Sequence, residues 1–197
     1  MSKISLRGVA VAALASAALV GAAPALAQSM NHSAHANAAV TVGGAAMYPN
    51  KTIVENAVNS PIHTTLVAAV KAAGLVDTLS GSGPFTVFAP TDAAFAKLPA
   101  GTVATLVEPA NKATLTKILT YHVVAGRITA ADLAARITAG GGKAELTTVE
   151  GGVLTASLRG TAVILTDEKG GVSTVTQADV LQSNGVIHVT DTVSMPN

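Results

Sequence analysis

The chain has 197 residues, 49% of them hydrophobic, and carries 12 lysines and arginines against 11 acids. That is enough for one packed domain and a tail, and the charge is too balanced for a nucleic-acid or anionic-membrane partner. Cysteine is absent, which excludes disulfides, thiol chemistry and a lipid-bearing cysteine together, so stability must come from packing.

Residues 1–27 have the organisation of a secretory signal peptide. Lys3 and Arg7 precede an apolar run from Val9 to Val20, and Ala25-Leu26-Ala27 offers the small side chains that a signal peptidase requires. The run falls short of the roughly 18–20 apolar residues that a membrane span needs. Cleavage after Ala27 would remove Lys3 and Arg7 and leave a slightly acidic protein, periplasmic or extracellular, with no membrane insertion. Residues 28–50 are small and polar, show no hydrophobic period, and are expected to form a flexible leader. Within them Met30, His32 and His35 are ligand types that suit copper. Two histidines three apart, with no third nearby, give little preorganisation, so metal binding is a secondary alternative and no cofactor is expected.

The folded domain is expected over 51–196. Thr52-x-x-Glu55 makes a capping box ahead of a short helix through Val58. Ser60 as N-cap with Pro61 at the first helical position predicts a second helix, carrying Leu66, Val67 and Val70 on one face and ended by Gly74. Leu75 to Leu79 is a short apolar segment. Phe85-Thr86-Val87-Phe88 then alternates as a strand should, Pro90 forces a corner, and Thr91 reads as the N-cap of a helix whose Phe95 and Leu98 share a face. All three phenylalanines of the chain lie in this stretch.

Pro109 is placed at the first position of a helix in which Leu115, Ile118, Leu119 and His122 recur at i, i+3, i+4 and i+7. His122 therefore faces inward. Tyr121, about 100° round the helix, is expected to point more towards solvent or a neighbouring loop. Thr129-x-x-Asp132 is another capping box, and Ile128 and Leu133 have the spacing of a hydrophobic staple. Beyond Gly140-Gly141-Gly142 come short β-rich runs at 146–149, 153–158, 162–166, 172–177 and 186–189, separated by glycine turns. Helices first and hairpins after make the chain α+β.

Three of these stretches carry a resemblance. Pro84-Phe85-Thr86-Val87-Phe88-Ala89-Pro90-Thr91 with its following helix resembles the first signature box of fasciclin-like domains. Ile118-Leu119-Thr120-Tyr121-His122-Val123-Val124 resembles their Tyr-His segment, and Gly185-Val186-Ile187-His188-Val189-Thr190 through Pro196 their closing box. The resemblance covers residues 51–196. It implies a wedge-shaped antiparallel β-sandwich flanked by short helices, and a binding or cell-adhesion module rather than an enzyme. Its partner would be an extracytoplasmic protein or polysaccharide. It also marks Tyr121 and His122 as binding residues, since animal fasciclin proteins have this segment linked to integrin-dependent adhesion. The helical spacing offers a second role for His122: an inward imidazole bonded to a buried carbonyl or hydroxyl, holding the helix against the sheet.

Enzyme readings are weaker. Ser183, His188 and Asp191 are the residue types of a hydrolase, but no strained elbow or oxyanion hole accompanies them. Glu108, Asp132, Asp167 and Glu168 sit at helix starts and turns, where capping and solvation account for them. The glycine runs lack the lysine and spacing of a phosphate loop.

Overall fold

The structure, a computed structural model, describes residues 39–197. The expected signal peptide, the leader up to residue 38, and Met30, His32 and His35 lie outside the described residues.

The expected leader does not extend to Asn50. Val40–Val42 (β1) and Ala45–Met47 (β2) form an antiparallel hairpin around Gly43 and Gly44. Both glycines have positive φ, +58° and +91°, as a two-residue hairpin turn requires. A Cβ on Gly43 would lie 2.6 Å from the Ile62 side chain, so the turn is pressed against the domain. Val42 and Met47 are fully buried in the main cluster. Strands of three residues are too short to show a period, which is why the sequence reads as a tail here.

The helices follow from their caps. Thr52 and Glu55 form the expected capping box on α1 (Ile53–Val58). The second helix, α2 (Thr64–Ala73), starts later than Ser60-Pro61 suggests. Ser60 instead hydrogen-bonds His63 Nδ1 at 2.8 Å, and the first-turn amides of Thr64 and Thr65 are taken by the Asp92 carboxylate at 3.2 and 2.7 Å. Gly74, at φ +72°, ends α2 as expected. Residues 75–79 contribute to a further short helix, α3 (Val76–Ser80). After β3 (Phe85–Pro90), Thr91 caps α4 (Asp92–Ala96) by accepting the Ala94 N–H. Beyond α5 (Thr102–Leu106), Pro109 begins a 3-10 turn, Pro109–Asn111, and α6 proper is Lys112–Tyr121. The chain continues through β4 (Val123–Ala125) into α7 (Ala130–Ala139), which has the Thr129–Asp132 capping box. Four hairpin-linked strands and a last one complete the domain: β5 (Lys143–Thr147), β6 (Val153–Arg159), β7 (Ala162–Thr166), β8 (Val172–Gln182) and β9 (Gly185–Thr190).

The seven strands β3 to β9 form one sheet in the order β4-β3-β9-β8-β7-β6-β5. A Val124–Thr148 bridge and the Val149 N–H bonded to Val123 O at 2.7 Å bring its two edges together, so the sheet is almost closed. Pairing is antiparallel except between β3 and β9, which run parallel from Phe85–Gly185 to Pro90–Thr190. The closing box thus lies beside the first box, joined to it by everything between. Alternation along β3 divides the core. Val87 and Ala89 face a helical cluster with Leu66, Val70, Leu115 and Leu119, while Phe88 faces a second cluster with Tyr121, Leu133, Leu154 and Leu165. Among the described residues no helix is long and apolar enough to cross a membrane.

Candidate functional site

The Tyr-His segment sits where α6 ends and β4 begins, between the two clusters. His122 is the residue after the last turn of α6, its N–H bonded to Leu119 O at 3.2 Å. The inward stripe holds: Leu115, Ile118, Leu119 and His122 are all buried.

The imidazole of His122 is bonded at both nitrogens. Nδ1 donates to Ile118 O at 2.8 Å, and Nε2 accepts the Ser194 N–H at 3.0 Å. A carbonyl only accepts and an amide only donates, so the ring is the neutral Nδ1–H tautomer. Burial holds its pKa below the ordinary histidine value. The expected bond to a buried carbonyl exists, but its second partner is the segment after β9 rather than the sheet.

Tyr121 departs from expectation. Helical angle alone points it outwards, yet it is fully buried in the second cluster, because the end of α6 is covered on both sides. Its hydroxyl donates to Val153 O at 2.7 Å and accepts the Glu168 N–H at 3.2 Å. Burial, reinforced by the nearby carboxylates of Glu168, Asp167 and Glu150, pushes the phenol up to about 12. A Cβ on Gly152 would stand 2.8 Å from the Tyr121 ring, so glycine is what allows that approach.

Around this pair the terminal segment is strapped down by side chains. Met195 N–H donates to Asp167 Oδ2 at 2.8 Å and Asn197 N–H to Glu168 Oε2 at 3.2 Å, beside the Ser194–His122 bond. Asp167 also shapes the β7–β8 turn by accepting the Lys169 and Gly171 amides at 3.1 and 2.6 Å. The amides of Val153 and Asn197 hold the Glu168 carboxylate below its ordinary range. Lys117 on α6 joins this edge, 3.7 Å from Glu150.

The hydrolase residues do not assemble. His188, fully buried and stacked on Phe88 with ring centres 5.5 Å apart, bonds Ile128 O through Nε2 at 2.8 Å and accepts the Asp179 N–H at Nδ1 at 3.3 Å. Its nitrogens are thus engaged with main-chain groups rather than with Ser183 or Asp191. Asp191 accepts the Thr174 N–H at 2.7 Å. Asp132 is spent on its capping box. Among the described residues His63 Nε2 and Ser173 Oγ have no hydrogen-bond partner, and both residues are buried away from solvent. Among the described residues no group of three histidines or acids could hold a metal.

Sequence reasoning passed over the polar struts of the opposite end. Asn184 Oδ1 accepts the Ile53 N–H at 3.0 Å, and Nδ2 donates to Leu79 O and Gly81 O at 2.8 and 2.9 Å, joining α1, α3 and the β8–β9 turn. Asn56 pairs with both main-chain groups of Tyr48 and with the Gln182 side chain. The only local signal was Asn184-Gly185, which reads as a turn.

Known proteins match this arrangement. The pattern that defines the fasciclin domain matches residues 61–196. Protein sll1483 of Synechocystis sp. is 52% identical over 145 residues, covering 74% of this chain and 73% of that one. The immunogenic protein MPB70 of Mycobacterium bovis is 38% identical over 143 residues, covering 70% of this chain and 65% of its own length. Among solved structures, a FAS1 domain pair from the insect cell adhesion molecule fasciclin I superposes with a TM-score of 0.65 at 19% identity, covering 79% of this chain and 57% of that chain. The shared fold, the matched pattern and the identity to its relatives agree: the chain belongs to the fasciclin domain family.

Proposed function

We propose that this protein is a non-enzymatic binding module working outside the cytoplasmic membrane, in adhesion or in contact with a protein or polysaccharide of the envelope or matrix. The observation that carries this reading is that the polar atoms of Tyr121, His122 and His188 are bonded to main-chain groups. Side chains so engaged present no free ring nitrogen to a substrate, and they hold together the frame that carries the outer surface. Membership of the fasciclin family supports the binding role. The basic, apolar and small-residue order of residues 1–27 supports the compartment.

In this reading Tyr121 and His122 act on recognition by holding the surface in place. The test is immobilisation of the protein and exposure to envelope and matrix fractions of the producing organism. Saturable retention of one protein or polysaccharide, competed by free domain, is expected. Retention of nothing, or release of a chemically altered component, contradicts the reading.

A further inference from the structure

Main-chain amides of a packed domain are mostly held by main-chain carbonyls, which stay acceptors at every pH near neutrality. The segment after β9 is held differently. Pro196 has no N–H, and the amides of Ser194, Met195 and Asn197 donate to His122 Nε2, Asp167 Oδ2 and Glu168 Oε2 at 3.0, 2.8 and 3.2 Å. All three acceptors are titratable side chains.

A proton disables each of them. The ring of His122 already carries a hydrogen on Nδ1 for Ile118 O, so protonation at Nε2 takes away the lone pair that Ser194 uses. The carboxylates are committed at both oxygens. Asp167 Oδ1 accepts the Lys169 and Gly171 amides, and Glu168 Oε1 accepts the Val153 amide at 3.0 Å. A carboxyl with one oxygen turned into a hydroxyl cannot serve both sides. The root of the segment is fixed otherwise. Asp191 and Thr174 exchange two bonds, at 3.1 and 2.7 Å, with the Lys97 ammonium 3.6 Å from Asp191. Lys117 on α6 donates to Asn197 O and lies 3.7 Å from Glu150, and Lys169 faces the same edge from the β7–β8 turn.

We propose that residues 192–197 form an acid-releasable strap: protonation of His122, Asp167 and Glu168 frees them from α6 and the β7–β8 turn while the sheet stays folded. The signs agree. Burial, against the charge of Asp167, holds strapped His122 below its ordinary value, and the amides of Val153 and Asn197 hold strapped Glu168 below its own. Release returns both towards ordinary values, so the released form binds more protons. Acid therefore favours it, below about pH 6.5 through the imidazole and below about pH 4.5 through the carboxylate.

Release uncovers apolar surface. Val193 is buried in the helical cluster, and Met195 packs against it, lining a cleft together with Ile118. The apolar area open to solvent beside α6 thus grows with acidity. The device belongs to the chain itself and not to any ligand, so it holds or fails separately from the binding-module reading.

The experiment is native-state hydrogen exchange of the full chain at pH 7, 6 and 5, in urea below the unfolding transition and corrected for intrinsic exchange. Ser194 and Met195 are expected to exchange through an opening that urea does not promote, while ladder amides such as Val87 and Ile187 exchange as urea promotes global unfolding. Ser194 protection should fall by up to about tenfold for each pH unit below about 6.5, as one bound proton requires. Glu168→Gln, which offers one acceptor in place of two, should lower strap protection at pH 7 several-fold more than that of Val87. His122→Gln should flatten the fall between pH 7 and pH 5. Strap amides that share the urea dependence of Val87 at every pH overturn the proposal, as does an undiminished pH dependence in His122→Gln. Wild-type strap protection in Glu168→Gln also overturns it, and this exposed position decides the matter if His122→Gln does not fold.

Discussion

His122 and Ser194 lie 72 positions apart in sequence, and the imidazole Nε2 accepts the Ser194 main-chain N–H at 3.0 Å. Through Nδ1 the same ring holds Ile118 O at 2.8 Å. One side chain therefore fastens the end of α6 to the segment that leaves β9. Replacement by alanine opens a void and leaves the Ser194 amide without its partner, so His122→Ala should cost about 2–4 kcal/mol. His122→Asn or His122→Gln can keep one bond and should cost less. Denaturant midpoints measure this, beside retention on the envelope and matrix fractions. A His122→Ala protein of wild-type stability that no longer binds would make the histidine a direct contact.

Tyr121 is not the mild probe that its helical angle suggests. Tyr121→Phe keeps the ring but removes the hydroxyl that serves Val153 O and the Glu168 N–H, so it should cost about 1–3 kcal/mol. Equilibrium unfolding checks this, and faster hydrogen exchange at the Glu168 amide should accompany it.

Acid should loosen the domain before any carboxylate titrates. Burial lowers the pKa of His63, His122 and His188 in the folded state. Below about pH 6.5 the unfolded chain then binds more protons than the folded one, and stability falls as pH falls. The neutral forms contribute fully above that value and progressively less below it. Unfolding midpoints at pH 7 and pH 5 should show the decrease, and the protection factor of the Ser194 amide, corrected for the intrinsic pH dependence of exchange, should fall with them. The buried phenol of Tyr121 sets the opposite limit: stability should fall again as pH rises from about 10 towards 12, where the unfolded tyrosine ionises first.

The N-terminal hairpin belongs to the core. Met47→Ala should destabilise by about 2–5 kcal/mol, as other large-to-small changes at fully buried sites do. Thermal unfolding decides it. A melting temperature unaffected by Met47→Ala would restore the leader reading through Asn50.

What could be read in the sequence was local. Thr52 with Glu55, Thr91 with Ala94, and Thr129 with Asp132 bond across three residues, and side-chain type and spacing suffice to see them. The inward stripe to His122 was legible for the same reason. The misses span distance. Asp92 reads as a first-turn acid of α4, yet it caps α2 from 27 residues away, which moves the start of α2 from Ser60 to Thr64. Asn184 reaches Ile53 across 131 positions. Tyr121 is buried because β6 and the β7–β8 turn cover a helix end that looks half free in isolation. The parallel pairing of β3 with β9 joins two boxes that are each legible alone, while nothing local in either names the other as its neighbour.

The central claim is that the Tyr-His segment is an internal strut, and the imidazole tautomers test it most directly. Long-range ¹H–¹⁵N correlation at pH 7 should show two neutral rings of opposite kind: His122 protonated on Nδ1, because Ile118 O and the Ser194 N–H fix it so, and His188 protonated on Nε2, because Ile128 O and the Asp179 N–H demand the reverse. An imidazolium at His122, or an Nε2–H tautomer averaging freely with solvent, would contradict the account and return that ring to the surface as a binding group.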